Sequence, residues 1–134
     1  MTLKDFFKGD RFAALVGVEL LEVGEGRARA RMLVTHDHLN GGGWCQGGAL
    51  FTLADLAFAA AVNSHLQLTV STSSNITYFK SVGEGTVVFA DAQETVNHHR
   101  MPYAEVRITD EQGDLIALFT SSGYRKPNMP ICLE

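Results

Sequence analysis

An aspartate set in an apolar run is the first residue whose type and place suggest chemistry. Asp55 stands within Leu50-Phe51-Thr52-Leu53-Ala54-Asp55-Leu56-Ala57-Phe58, where burial strips a carboxylate of its hydration and costs several kcal/mol unless the group is paired, protonated or open to a wet cleft. Two readings stand. In one, Asp55 faces solvent or a backbone partner; in the other, burial raises its pKa and fits it for general-base work near neutral pH. Thr52, three residues earlier, falls on the same helix face and is placed to orient it. The second feature is Gln46-Gly47-Gly48, just ahead of a run of good helix formers. Backbone N–H groups without intrahelical partners lie there at the positive end of a helix dipole, where a developing oxyanion can be held. Glycine lets a ligand approach that backbone closely, although Gly-Gly also reads as a plain turn into a helix. Gly47 and Asp55 are about two turns apart, ~12 Å along one helix, too far to touch one carbonyl. A catalytic reading therefore requires two copies of the chain, with sites at their interface.

Other reactive residues carry less. Cys45 precedes the helix start, where a thiolate is stabilised, and His36 or His38 could assist it as a nucleophile. The pairs His36/His38 and His98/His99 lack a third ligand at a recognisable spacing, so no metal site is expected. Gly41-Gly42-Gly43 lacks the Lys-Ser/Thr of a phosphate loop and reads as a flexible segment. Arg27, Arg29 and Arg31 alternate with Ala28, Ala30 and Met32, which puts the three cations on one solvated strand face. Lys80, Arg100, Arg125 and Lys126 follow or flank strand-like runs, where each is either a surface charge or a contact for an anionic ligand.

The elements that must position these residues follow from periodicity. Residues 3–15 read as a short N-terminal helix, with Asp10 able to cap and Gly17 placed to terminate. Residues 18–23 and 27–34 read as strands, and 35–46 as a turn-rich loop. Residues 49–64, free of Gly and Pro and apolar nearly all round, read as a helix of about four turns buried on several sides. Residues 71–79, 86–96, 103–109 and 115–124 are β-branched and aromatic runs joined by short turns, which favours an antiparallel sheet. The tail with Pro127 and Pro130 reads as irregular. The layout is α+β, an antiparallel sheet with one central helix packed on it.

Composition bounds the rest. The chain has 134 residues, enough for one domain spanning 1–134. Eleven Lys plus Arg against fifteen Asp plus Glu give a net charge of −4, which opposes bulk-charge binding to nucleic acid or an anionic membrane. The apolar helix is interrupted by Thr52 and Asp55 and falls short of the ~18 residues of a membrane span. No secretory stretch is visible at the start. Two cysteines make no disulfide scaffold, so free thiols in a cytoplasmic, soluble protein are expected.

The run from His38 to Ala59, continuing to Asn63-Ser64, resembles the signature of PaaI-type hotdog-fold acyl-CoA thioesterases, L-N-x-x-x-x-C-H-G-G-x-L-F-x-L-A-D-x-A-F-A with a following N-S. Asn75-Ile76-Thr77-Tyr78-Phe79-Lys80 is similar to that family's strand after the helix, and residues 114–119 to a late strand. The resemblance implies a hotdog fold and hydrolysis of an acyl-CoA, with aromatic groups such as phenylacetyl as first candidates. It implies no cofactor, coenzyme A being part of the substrate, and homodimers paired into tetramers. Asp55 takes the place of the general base or nucleophile, Gly47 that of the N–H polarising the thioester carbonyl, and Asn40 that of a loop residue positioning water or carbonyl. Gly48, Thr52 and Lys80 fall at substrate-binding positions. Gln46 replaces the usual His, which keeps a hydrogen bond to the carbonyl and removes an acid–base role near pH 7. Two rivals remain: a hotdog enoyl-CoA hydratase or dehydratase, which needs the missing His, and a non-catalytic acyl-CoA sensor.

Overall fold

The structure, a computed structural model, describes residues 1–134. Two short helices, α1 (Leu3–Phe7) and α2 (Arg11–Val16), precede strands β1 (Val18–Gly24) and β2 (Arg27–Leu33). A loop with one 3-10 turn leads to the long helix α3 (Gly47–Val62), and strands β3 (Gln67–Tyr78), β4 (Val87–Val96), β5 (Tyr103–Asp110) and β6 (Leu115–Pro130) complete the chain. All six strands form one antiparallel sheet in the order β1-β2-β4-β5-β6-β3. The α+β layout read from the sequence is the one observed.

The sheet closes on α3 through small and branched side chains. Ala54, Ala57, Ala60 and Ala61 of the helix are fully buried, as are Ala30, Val88, Val106 and Ile108 of the strands. Alanine costs no side-chain entropy in a helix and lets it sit close to the sheet. Phe119 fills the widest gap, its ring 5.2 Å from Phe51 and 6.2 Å from Phe58. By composition and length α3 with its following turn is apolar enough to cross a membrane, yet most of it is buried in this core.

Four boundaries differ from expectation. The N-terminal helix is two helices, broken at Gly9, because Asp10 turns out of helical geometry and caps the Ala13 N–H at 3.0 Å. Helix α3 starts at Gly47 and gives way at Asn63 to a 3-10 turn. Strand β3 begins four residues early, after Leu66 turns the chain in a left-handed conformation. The tail is no irregular segment: it continues β6 to Pro130, opposite Gln67. Pro127 is tolerated because β5 no longer pairs there and the register with β3 bulges.

A buried polar cluster fixes the C-terminal end of α3. The Asn63 amide donates to the Ala59 and Thr69 carbonyls and accepts from the Thr69 N–H at 2.8 Å. Arg125 is buried rather than at the surface; its guanidinium donates to Asn97 Oδ1 at 2.9 Å and lies 3.6 Å from the buried Glu94 carboxylate. Glu94 also meets His65 Nε2 at 2.8 Å.

Candidate active site

The opposite end of α3 is left open for chemistry. Gln46 is the N-cap and makes no side-chain capping bond, and the Gly47 and Gly48 N–H groups have no acceptor within the chain. Unpaired donors at the positive end of a sixteen-residue helix suit a developing negative charge. Both glycines are required by close approach. A Cβ on Gly47 would lie 2.6 Å from the Tyr78 hydroxyl oxygen, and one on Gly48 would lie 2.8 Å from Gln46 Oε1. The Tyr78 hydroxyl donates to the Gly47 carbonyl at 2.8 Å, pinning the first turn to β3.

Asp55 lies two turns on, half-buried, on the least covered stripe of α3, with exposed Gly48 and half-buried Thr52 and Ala59. Burial pushes its carboxyl above the ordinary aspartate range; the Asp10 carboxylate adds to this, and the nearby Ser71 hydroxyl opposes it. Such a group takes a proton more readily than a surface aspartate does. Strand β3 runs antiparallel to α3, with Tyr78 level with Gly47 and Ser71 level with Asp55.

The other expected residues are placed more narrowly. Asn40 is exposed, and its Oδ1 accepts from the Gly42 and Trp44 N–H groups at 2.9 and 3.1 Å, so it shapes the loop ahead of α3. The Thr52 hydroxyl donates to the Gly48 carbonyl at 2.9 Å, so it braces the first turn and does not orient Asp55. Lys80 lies beside the helix start, with its ammonium 2.9 Å from Asp114 and 3.5 Å from Asp110. Cys45 is buried, which pushes its thiol up to about 11 and removes the thiolate that a nucleophile needs. His38 Nδ1 accepts from the Thr35 N–H, its Nε2 donates to the Val16 carbonyl, and neither nitrogen faces Cys45. His98 and His99 stack on each other far along the chain, and no three His, Cys, Asp or Glu side chains gather as a metal site would require.

Ser71, Tyr78 and Asp10 are the site residues that sequence reasoning missed. Asp10 was legible only as a cap. Ser71 and Tyr78 lie in a plain strand run, and only the register of β3 against α3 sets them beside the helix.

Two cavities flank the helix start. One, of about 270 Å³, is lined by Cys45, Gly47, Leu50, Tyr78, Phe79 and Lys80 among others. The second, of about 280 Å³, lies on the other side against α2 and the loop, with Gln46, Gly48 and Thr52 on its floor. The largest cavity, about 600 Å³, opens at the far end of α3 between Thr2, Val23 and His65 and holds neither half of this site.

The family model of the thioesterase superfamily matches residues 42–117, more than half of the chain and the whole of α3. The chain belongs to the thioesterase superfamily. This thioesterase is 37% identical to a protein of Archaeoglobus fulgidus over 92% of its own length and 80% of that protein's. It is 32% identical to the acyl-coenzyme A thioesterase PaaI of Escherichia coli, over 89% of this chain and 85% of PaaI. The structure of E. coli PaaI, a protein of the phenylacetic acid degradation operon, superposes with a TM-score of 0.90 at 30% identity, covering 96% of this thioesterase and 92% of PaaI. The sheet curled around α3 is the hotdog fold that the sequence signature implied.

Proposed function

We propose that this thioesterase hydrolyses acyl-CoA thioesters, with Asp55 of one protomer acting on a carbonyl held at the Gly47 end of α3 in a second copy. The observation that carries this reading is the division of the machinery: unpaired N–H donors at Gly47 and Gly48, and a carboxylate with raised proton affinity two turns away on the least covered stripe of the helix. In the reaction the partner's Asp55 takes a proton from water as its oxygen attacks the thioester carbon. The oxyanion is held by the Gly47 N–H and the Gln46 carboxamide. Collapse breaks the C–S bond, and the departing thiolate takes up the proton, leaving a carboxylic acid and coenzyme A.

The free edge of β3 supports the pairing. Its twelve residues, Gln67–Tyr78, contain no charge and no proline, and only β6 pairs with it. The other sheet edge, β1, carries the charges of Glu19 and Glu22, which discourage pairing. An antiparallel self-pairing of β3 centred near Ser74 and Asn75 sets Ser71 of one strand opposite Tyr78 of the other, and so brings each Asp55 toward the other copy's Gly47. Homodimers joined in this way are the basic unit, with pairing into tetramers as the family resemblance implies. Aromatic acyl groups such as phenylacetyl are the first substrates to test, given the operon of the E. coli relative.

The test is free-thiol release from aromatic and aliphatic acyl-CoAs by wild type and Asp55→Asn. Turnover that collapses in folded Asp55→Asn supports the reading. A mixture of Asp55→Asn and Gln46→Ala protomers, refolded together, then regains activity above either alone if the site is shared between copies. Tight acyl-CoA binding with no thiol release in wild type overturns hydrolysis and favours a sensor.

A further inference from the structure

We propose that α2 is the acyl-selecting wall of the site and that Phe12 sets how long an acyl group it accepts. The proposal rests on the thioesterase reading, because the cavity it concerns shares its floor with the Gln46 end of α3.

Helix α2 is held by its ends, and an apolar face of it is left uncovered. Asp10 caps its first turn, Gly17 ends it with φ at 90°, and Ala13 is buried against the body. His38 ties the last turn to the loop before α3, donating from Nε2 to the Val16 carbonyl while Nδ1 accepts from the Thr35 N–H at 2.8 Å. Phe12 and Leu15 are nevertheless 63% and 82% exposed. Large apolar side chains presented together by a braced element mark a surface meant to be covered.

The cavity of about 280 Å³ identifies the cover for Phe12, while Leu15 lines a neighbouring cavity. The walls of the first are Phe12, Val16 and Leu39, and its floor is Gln46, Gly48, Ala49 and Thr52. A thioester carbonyl held at the helix start places one of its two arms here. This lining contains no Lys or Arg and includes the carboxylate of Asp37, a poor seat for the phosphates of coenzyme A and a good one for an apolar acyl group. Phe12 is the largest side chain lining the cavity and is largely exposed, so acyl length is read against it. The occupant is an uncharged apolar acyl group, a compact ring or a chain of medium length.

The experiment measures kcat/KM for phenylacetyl-CoA and for straight-chain acyl-CoAs from butyryl to palmitoyl, with wild type, Phe12→Ala, Phe12→Trp and Phe79→Ala. Phe12 is largely exposed, so its variants fold, and circular dichroism checks that they do. A methylene in an apolar pocket is worth about 10- to 200-fold. Phe12→Ala is therefore expected to raise the palmitoyl-to-butyryl ratio by about tenfold or more, and Phe12→Trp to lower it. If the Phe12 variants scale every substrate alike, or if Phe79→Ala, in the cavity on the other side of the helix start, moves the preference instead, the proposal is overturned. Should wild type release no thiol at all, the same panel is read as binding constants by calorimetry. A Phe12-dependent length preference in binding then upholds the α2 wall while the hydrolytic reading fails, and its absence removes both.

Discussion

The Tyr78 hydroxyl donates to the Gly47 carbonyl at 2.8 Å, and its ring fills the space that a side chain on Gly47 would need. Gly47→Ala drives a Cβ to within 2.6 Å of that hydroxyl oxygen, so either the helix start or Tyr78 must move. Overpacking of this kind costs about 1–3 kcal/mol, and displacing an oxyanion donor costs roughly 10²–10³ in rate. Thermal melts and kcat together check this. Tyr78→Phe keeps the ring and loses the bond, and is expected to give a smaller drop, in kcat more than in KM.

Asp55→Asn removes the group assigned as general base, with an expected loss of about 10²–10⁴ in kcat. Its stability moves the other way. A carboxyl whose folded pKa is raised binds protons more tightly in the fold than in the unfolded chain, so stability falls as pH rises from the ordinary aspartate range through the raised value. Above that window wild type carries the full penalty and Asp55→Asn does not. The variant is expected to melt a few degrees higher at neutral pH, with the gap closing in acid. An equal or lower Tm at neutral pH contradicts the burial of this charge.

Two neighbours of Asp55 predict opposite pH shifts. The Asp10 carboxylate raises its proton affinity and the Ser71 hydroxyl lowers it. Asp10→Asn, which keeps the helix cap, moves the acid limb of kcat/KM to lower pH. Ser71→Ala moves it to higher pH. Limbs that stay in place in both variants dissociate that limb from Asp55.

The role proposed for Gln46 is that of a neutral donor, since a carboxamide does not titrate near pH 7. Gln46→Ala is expected to lose about 10²–10³ in kcat while the shape of the pH profile stays fixed. Unchanged turnover removes Gln46 from the mechanism.

The two thiols differ in reactivity. Cys132 is exposed, whereas burial pushes Cys45 up to about 11, leaving about one part in a thousand as thiolate at pH 8. Maleimide at that pH is expected to add once per folded chain, at Cys132, and a second time only on unfolding. Mass spectrometry of the labelled peptides reads the outcome.

The sheet, the long helix and the Gly47-to-Asp55 spacing were legible because each is written in a local pattern: alternation in the strands, unbroken helix formers, and one carboxylate in an apolar run. What was not legible depends on partners distant in sequence. Ser71 and Tyr78 matter only because β3 runs back along α3. Arg125 read as a surface cation and is buried, because Glu94 of β4 and Asn97 just beyond it receive its charge and hydrogen bonds. The proline tail read as irregular because proline breaks a paired strand, and the bulge opposite Gln67 that permits it is a tertiary feature. Thr52 shares a helix face with Asp55, as spacing requires, yet its proton goes to the nearer Gly48 carbonyl.

The polar cluster around Asn63, Glu94 and Arg125 anchors the root of α3 through several buried bonds, whereas one hydrogen bond from Tyr78 holds its tip, so the helix is a lever with unequal supports. Sixteen residues set the tip about 24 Å from the root, so a tilt of ~5° at the root sweeps the tip through ~2 Å. A displacement of that size is enough to cost about 10²-fold in rate with no contact to the substrate altered. Loosening the root, by Asn63→Ala for instance, would therefore surface as slow turnover at the far end of the molecule. Amide exchange along the helix should show a gradient, slow near Asn63 and faster at the first turn.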